Sequence, residues 1–225
     1  MTALLALTDL TKTYGDAPAV GPVDLAIGRG QRVVLVGHNG SGKTTLLRMA
    51  AGLLEATAGT IAVLGHDVGS RASRAATSYL GDQPVFYDDL SVWEHLEYIA
   101  RVHDTPDWDQ HAADLLDLLG LADRGDDLPS TFSRGLRQKA AIALAFVRPF
   151  ELLLVDEPFV GLDRAGRDAL LELFRRAHRG GAALLVATHE LTTVSDAERV
   201  VALRDGVIVF DGAPTDADVD DLVAK

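Results

Sequence analysis

The densest chemistry in the chain lies at residues 37–45, Gly-His-Asn-Gly-Ser-Gly-Lys-Thr-Thr, which fits the pattern GxxxxGK[ST]. Gly37, Gly40 and Gly42 let the backbone curl around Asn39 and Ser41 so that successive N–H groups face inward. A helix beginning near Lys43 would add the positive end of its dipole to the same cavity. Such a loop is an anion cradle. Lys43 supplies a point charge for β- and γ-phosphates, and the hydroxyl of Thr44, beside Thr45, suits magnesium, a hard cation that prefers oxygen. The pattern predicts ATP and Mg2+ as ligands.

Two further groups stand where a nucleotide would need them. Asp156 and Glu157 follow the apolar run 152–155, at the end of a predicted strand. Ligands of open α/β sheets bind at that edge. Neighbouring strand residues point in opposite directions, so the two acids must differ in role: Asp156 is expected in the magnesium shell and Glu157 beside a water that attacks the γ-phosphate. His189, after the apolar run 183–187, reads either as a structural histidine or, since three strand ends converge on one edge, as a contact to the γ-phosphate or the attacking water. Lys43, Glu157 and, on the second reading, His189 are thus the predicted catalytic set, and hydrolysis the predicted reaction.

The elements that must hold these residues are legible in the hydrophobic pattern. Short β-branched or leucine-rich runs at 32–36, 60–64, 152–155 and 183–187 read as buried strands. Helix-period segments lie between them, at 43–54, 92–102, 112–119, 135–147 and 164–178. The alternation predicts an α/β fold with a mostly parallel sheet, a P-loop NTPase core. Strands at 4–10 and 23–27, around a turn-rich 14–22, and a hairpin at 200–210 through Asp205-Gly206, predict flanking antiparallel strands. Residues 88–148 read as almost entirely helical, with breakers at Pro106 and 126–129, which predicts a helical lobe inserted in one domain spanning 1–225.

Composition narrows the partners. With 48% hydrophobic and 24% charged residues over 225 positions, the chain has the mix of an ordinary globular protein. Its formal charge of −12 has the wrong sign for coating nucleic acid or anionic lipid, so no nucleic-acid partner is expected and any phosphate must be held locally. The absence of cysteine excludes disulfides and thiol catalysis. The start lacks a basic leader, and the longest apolar stretch, 140–147, is far short of the roughly 20 residues that cross a bilayer. A cytoplasmic location is expected, with any membrane span supplied by another chain.

Taken together, in order and over nearly the whole chain, these motifs resemble the nucleotide-binding domain of ATP-binding-cassette (ABC) transporters. The resemblance implies that Tyr14, in Lys-Thr-Tyr-Gly, stacks on adenine. It implies that Gln83, in Gly-Asp-Gln-Pro, reaches magnesium and senses the γ-phosphate. The family's LSGGQ signature is resembled by Phe132-Ser133-Arg134-Gly135-Leu136. Ser133 and Gly135 are kept and suit a helix N-terminus that binds a γ-phosphate. Arg134 and Leu136 depart from the pattern, in a manner similar to subunits for haem export and for drug or polysaccharide export, and Arg134 is expected to face solvent. Gly161-Leu162-Asp163 resembles the loop through which such a domain touches its opposite number.

The likeness implies an ATP-hydrolysing subunit that powers transport, in the export direction. Its implied partners are a membrane-spanning transporter subunit and a second ABC domain, as homodimer or heterodimer. The subunit would sit peripherally on the inner face of the cell membrane through that partner, docked by residues 84–96 with Phe86, Tyr87 and Trp93. A nonmembrane ABC-type ATPase and another P-loop NTPase are the alternatives, the second leaving 132–138 and His189 without a role.

Overall fold

The N-terminal strand β1 (Leu5–Tyr14) turns through Gly15, at a φ of 59°, into β2 (Ala17–Ile27). Both belong to a computed structural model that describes residues 3–188 and 197–223. The long hairpin replaces the turn-rich 14–22 expected from sequence. Register shifts after Leu7, Leu10 and Lys12 break the alternation by which a strand is recognised. With β4 (Ala58–Val63) and β5 (His66–Asp67) it forms an antiparallel sheet in the order β2-β1-β4-β5.

A second sheet is built from β3 (Arg32–Val36), β6 (Thr77–Leu80), β7 (Leu152–Asp156), β8 (Ala183–Ala187), β9 (Arg199–Arg204) and β10 (Val207–Gly212), in the order β10-β9-β3-β8-β7-β6. β3 runs parallel to β8 and β9, β7 runs parallel to β8, and β10 closes antiparallel on β9. The α/β class, the largely parallel sheet and the antiparallel flank are therefore as expected. Every residue of β7 and β8 is buried, which is why these strands read as unbroken apolar runs.

Helix α1 (Lys43–Ala50) contributes Leu46, Leu47 and Met49 to a core shared with Leu5, Leu10 and Ile27 of the hairpin and Leu35, Leu154 and Leu185 of the parallel sheet. Truncating one such leucine to alanine costs about 2–5 kcal/mol. α1 stops short of the predicted 54 because Gly52, at a φ of 72°, closes the last turn by donating to Met49 O while Leu53 N reaches Arg48 O. A short helix, α2 (Arg71–Ala76), capped by Ser70, and the strand β6 after it were not expected; both are brief and lack a clear apolar period.

The chain divides into two compact units, one of Met1–Tyr79, Phe150–Glu157 and His178–Lys225, the other of Leu80–Pro149 and Pro158–Ala177. In the second, α3 (Val92–Val102), α4 (Trp108–Leu118) and α5 (Arg134–Phe146) pack on one another, burying Leu96, Leu115, Leu116 and Ile142. A capping box at Ser91 and Glu94 starts α3. The second unit also takes in most of α6 (Arg164–Arg179), whose Phe174 meets Phe146 and Phe159 at ring separations of 6.4 Å. A last short helix, α7 (Val219–Val223), lies in the first unit.

Candidate functional site

In the first unit the parallel register brings three strand ends to one edge. Ala187 of β8 stands level with Leu35 of β3 on one side and Asp156 of β7 on the other. Beyond that line, Thr188 N–H donates to Leu35 O at 3.2 Å and Glu157 N–H to Ala187 O at 2.9 Å.

The loop after β3 is shaped by glycine at two positions that tolerate nothing else. A Cβ on Gly37 (φ 150°) would come within 2.2 Å of Leu203 O and 2.7 Å of Ser41 Oγ, and one on Gly42 (φ 104°) within 2.7 Å of Ala19 O. Gly40 is different, with open space around it at the exposed crest beside Asn39. The turn between β9 and β10 supports the loop from below: Gly206 N–H donates to Ser41 O at 3.0 Å, and Gly206 O accepts Gly21 N–H at 2.8 Å. From sequence, Asp205-Gly206 reads only as a hairpin turn. Ser41 Oγ is fully buried and makes no hydrogen bond among the described residues.

α1 opens directly from this loop, with Gly42 as its N-cap residue, no side-chain cap and no acid in its first turn. Its first residue, Lys43, folds back so that Nζ donates to Gly37 O at 2.7 Å and His38 O at 3.3 Å. Lys43 is 7% exposed. Burial lowers its pKa from the usual lysine value, and the nearby carboxylates of Glu157 and Asp156 push the other way. One buried cation and two carboxylates are therefore gathered at one strand edge, beside the glycine-shaped loop.

Asp156 is fully buried, and Thr44 is half-buried in the first turn of α1. Glu157 sits at a φ of 44°, in the left-handed region that costs a non-glycine residue about 1–2 kcal/mol. That twist takes Glu157 out of the strand's alternation and leaves it half-exposed. Tyr14, at the end of β1, is 56% exposed, with Lys12 Nζ 5.3 Å from its ring centre. His189 lies outside the described residues.

The second unit holds the other predicted residues. Ser133 begins α5 and accepts Leu136 N–H at 3.3 Å. Gly135 lies so close to the loop before α6 that a Cβ would meet Gly161 O at 2.6 Å. Two more ties join α5 to that loop: Gln138 Nε2 donates to Pro158 O at 3.2 Å, and Lys139 Nζ reaches Asp163 Oδ2 at 3.2 Å. Lys139 was not singled out from sequence, where it reads as one more surface lysine. Asp163 also accepts Gly166 N–H at 2.8 Å, which caps α6. That backbone bond first, and Lys139 second, hold its carboxyl below the ordinary aspartate range. Arg134 is exposed, as expected, but its aliphatic stem lies over Gly161, where a Cβ would sit 3.3 Å from its Cγ. Gln83 is exposed and lines a cleft of about 490 Å³ with Val85, Phe132, Arg134, Arg137 and Gln138.

A family model described as ABC transporter matches residues 20–160. The chain belongs to the ABC transporter family. Among its relatives, a cytochrome c biogenesis ATP-binding export protein of Xanthomonas axonopodis pv. citri is 36% identical over 186 residues, covering 83% of this chain and 86% of that one. An aliphatic sulfonates import ATP-binding protein of Pseudomonas putida is 35% identical over 210 residues, covering 92% and 75%. A solved structure of an ATP-binding subunit of an ABC transporter superposes with a TM-score of 0.91 at 30% identity, over 97% of each chain. This ABC protein is accordingly an ATP-binding subunit and an ATPase. No helix among the described residues is long and apolar enough to cross a membrane.

Proposed function

We propose that residues 1–225 act as one nucleotide-binding domain, with the helical lobe at about 88–148 inserted in its core, and that it turns over Mg-ATP at the P-loop to drive a separate membrane-spanning subunit. The observation that carries this reading is Lys43: a desolvated ammonium held by the carbonyls of Gly37 and His38, with Glu157 and Asp156 close enough to act on its charge. A buried cation at a helix N-terminus favours a multiply charged phosphate chain over water.

The roles follow from position. Loop amides at 37–45 and Lys43 hold the β- and γ-phosphates, and Tyr14 offers its exposed ring to the adenine. Asp156, Thr44 and Gln83 are oxygen donors that fit magnesium, which would neutralise charge on the phosphates when bound. Glu157 accepts a proton from the attacking water, and His189 orients that water or touches the γ-phosphate. Ser133 and Gly135, with Asp163 on the loop tied to them, serve a nucleotide on a second ABC domain, in a homodimer or heterodimer.

Both an import and an export protein stand among the relatives at almost equal identity. The export direction rests on Arg134 and Leu136 in the signature. Residues 84–96 are the surface for the membrane partner, which would hold this subunit peripherally on the inner face of the membrane. Val85 is 91% and Tyr87 56% exposed there. Trp93 is instead packed against Trp108, with ring centres 5.4 Å apart and its backbone N–H on Gly125 O, so it belongs to the lobe's own packing.

Lys43→Ala tests the reading directly. ATP hydrolysis by the purified chain should fall by at least about 10²- to 10³-fold, the usual loss when one group that stabilises developing charge is removed. Near-normal turnover would reject the site.

A further inference from the structure

Residues 81–90, which carry Gln83, Phe86 and Tyr87, contain no helix or strand. One side chain of the lobe is hydrogen-bonded to their backbone. His95, on the second turn of α3, is 3% exposed. Its Nδ1 lies 2.7 Å from Ser91 O, and its Nε2 accepts the Tyr87 backbone N–H at 2.9 Å. A carbonyl oxygen only accepts, so Nδ1 carries the proton and Nε2 carries none. The ring is thereby fixed as the neutral Nδ1–H tautomer. Phe86 meets it edge-on at 5.4 Å and Tyr87 stacks on it at 5.9 Å.

The neighbours leave His95 to this task alone. Glu94, the adjacent acid, accepts Ser91 N–H at 2.7 Å as part of the capping box, which lowers its pKa. On the far side Tyr98 meets the Tyr87 ring at 5.6 Å, and the Arg137 guanidinium lies 5.9 Å over Phe86.

We propose that His95 is a positioning residue, a neutral latch that fixes residues 85–87 on the start of α3 and so sets how Phe86 and Tyr87 are presented to the membrane partner. A second proton on Nε2 would face the Tyr87 N–H, donor against donor, so the latch requires the neutral ring. Its functional consequence rests on the reading of 84–96 as the partner's surface; the latch itself is a property of the isolated chain.

The test uses His95→Phe, which keeps a ring but removes both nitrogens, and His95→Gln, whose amide oxygen can replace the Nε2 acceptor. In wild-type protein, nitrogen NMR should show His95 with Nδ1 protonated and Nε2 bare. Amide exchange at Tyr87 should quicken about tenfold in His95→Phe, the scale of one lost hydrogen bond, and stay near wild type in His95→Gln. Co-purification with a native membrane fraction should weaken in His95→Phe and recover in His95→Gln. An Nε2-protonated tautomer, or unchanged Tyr87 exchange in His95→Phe, overturns the proposal. So does normal co-purification of His95→Phe while Phe86→Asp and Tyr87→Asp are lost from the membranes. If those two aspartate variants also co-purify normally, the partner surface is what has failed.

Discussion

Two helix starts carry the predicted phosphate chemistry, and they are built in opposite ways. α1 begins under cover: Gly42 and Gly37 are pressed against neighbouring backbone, Lys43 is buried, and its ammonium is held by the loop's own carbonyls. α5 begins in the open, with Ser133 exposed and Arg134 reaching outward over Gly161. Both lack an acid in the first turn, so neither helix compensates its own positive dipole end. The difference lies in what the chain supplies around them. The first start is furnished with a cation and carboxylates from its own unit; the second carries the exposed side chains of Ser133 and Arg134. On the proposed reading, the second start serves the nucleotide of a second ABC domain, and the first is served in turn by that domain's signature.

If that contrast holds, substitutions at the two starts should separate binding from turnover. Ser133→Ala should leave ATP affinity of the isolated chain unchanged while lowering hydrolysis by about 10²-fold, the low end of the range for one lost hydrogen-bond donor to developing charge. Isothermal titration beside steady-state hydrolysis reads both. Thermal unfolding should register only the lost cap of α5, about 0.5–1 kcal/mol, the low end for a cap bond as long as 3.3 Å. Weakened ATP binding in Ser133→Ala would place the signature in the chain's own site and remove the contrast.

A smaller effect is expected one loop away. Asp163 caps α6 and pairs with Lys139, and these contacts hold its pKa below the unfolded value. A carboxyl shifted this way stabilises the fold above its unfolded pKa, about 3.9, and loses that contribution as pH falls through the folded value. Asp163→Ala should therefore cost about 0.5–1 kcal/mol near neutral pH, most of it the cap, because the exposed ion pair adds little. Wild type and variant should converge in melting temperature as pH falls below about 4. A gap that persists into acid would show that the stabilisation does not depend on the ionised carboxylate.

How much could be read without coordinates differs between the same two regions. The P-loop was legible because its residue types follow one another in a short fixed pattern between a strand and a helix, with glycine at the two positions where a Cβ would strike neighbouring backbone. Asp156 and Glu157 were legible because the strand before them is buried on every residue. What escaped is held by contacts distant in sequence. Gly206 beneath Ser41, Lys139 on Asp163 and His95 on Tyr87 each join residues whose types are unremarkable until the fold pairs them. The hairpin of β1 and β2 is longer than its sequence pattern suggests for a related reason: its bulges shift the alternation that marks a strand.

Glu157→Gln offers the most direct measurement. The amide fills the same volume but cannot take a proton from water, so hydrolysis should drop by about 10²- to 10⁴-fold while ATP binding survives. With nucleotide bound and not consumed, light scattering of the variant in ATP and magnesium should report twice the mass of the chain, and the mass of one chain in ADP. A Glu157→Gln chain that hydrolyses at the wild-type rate and stays monomeric with saturating ATP would contradict the account.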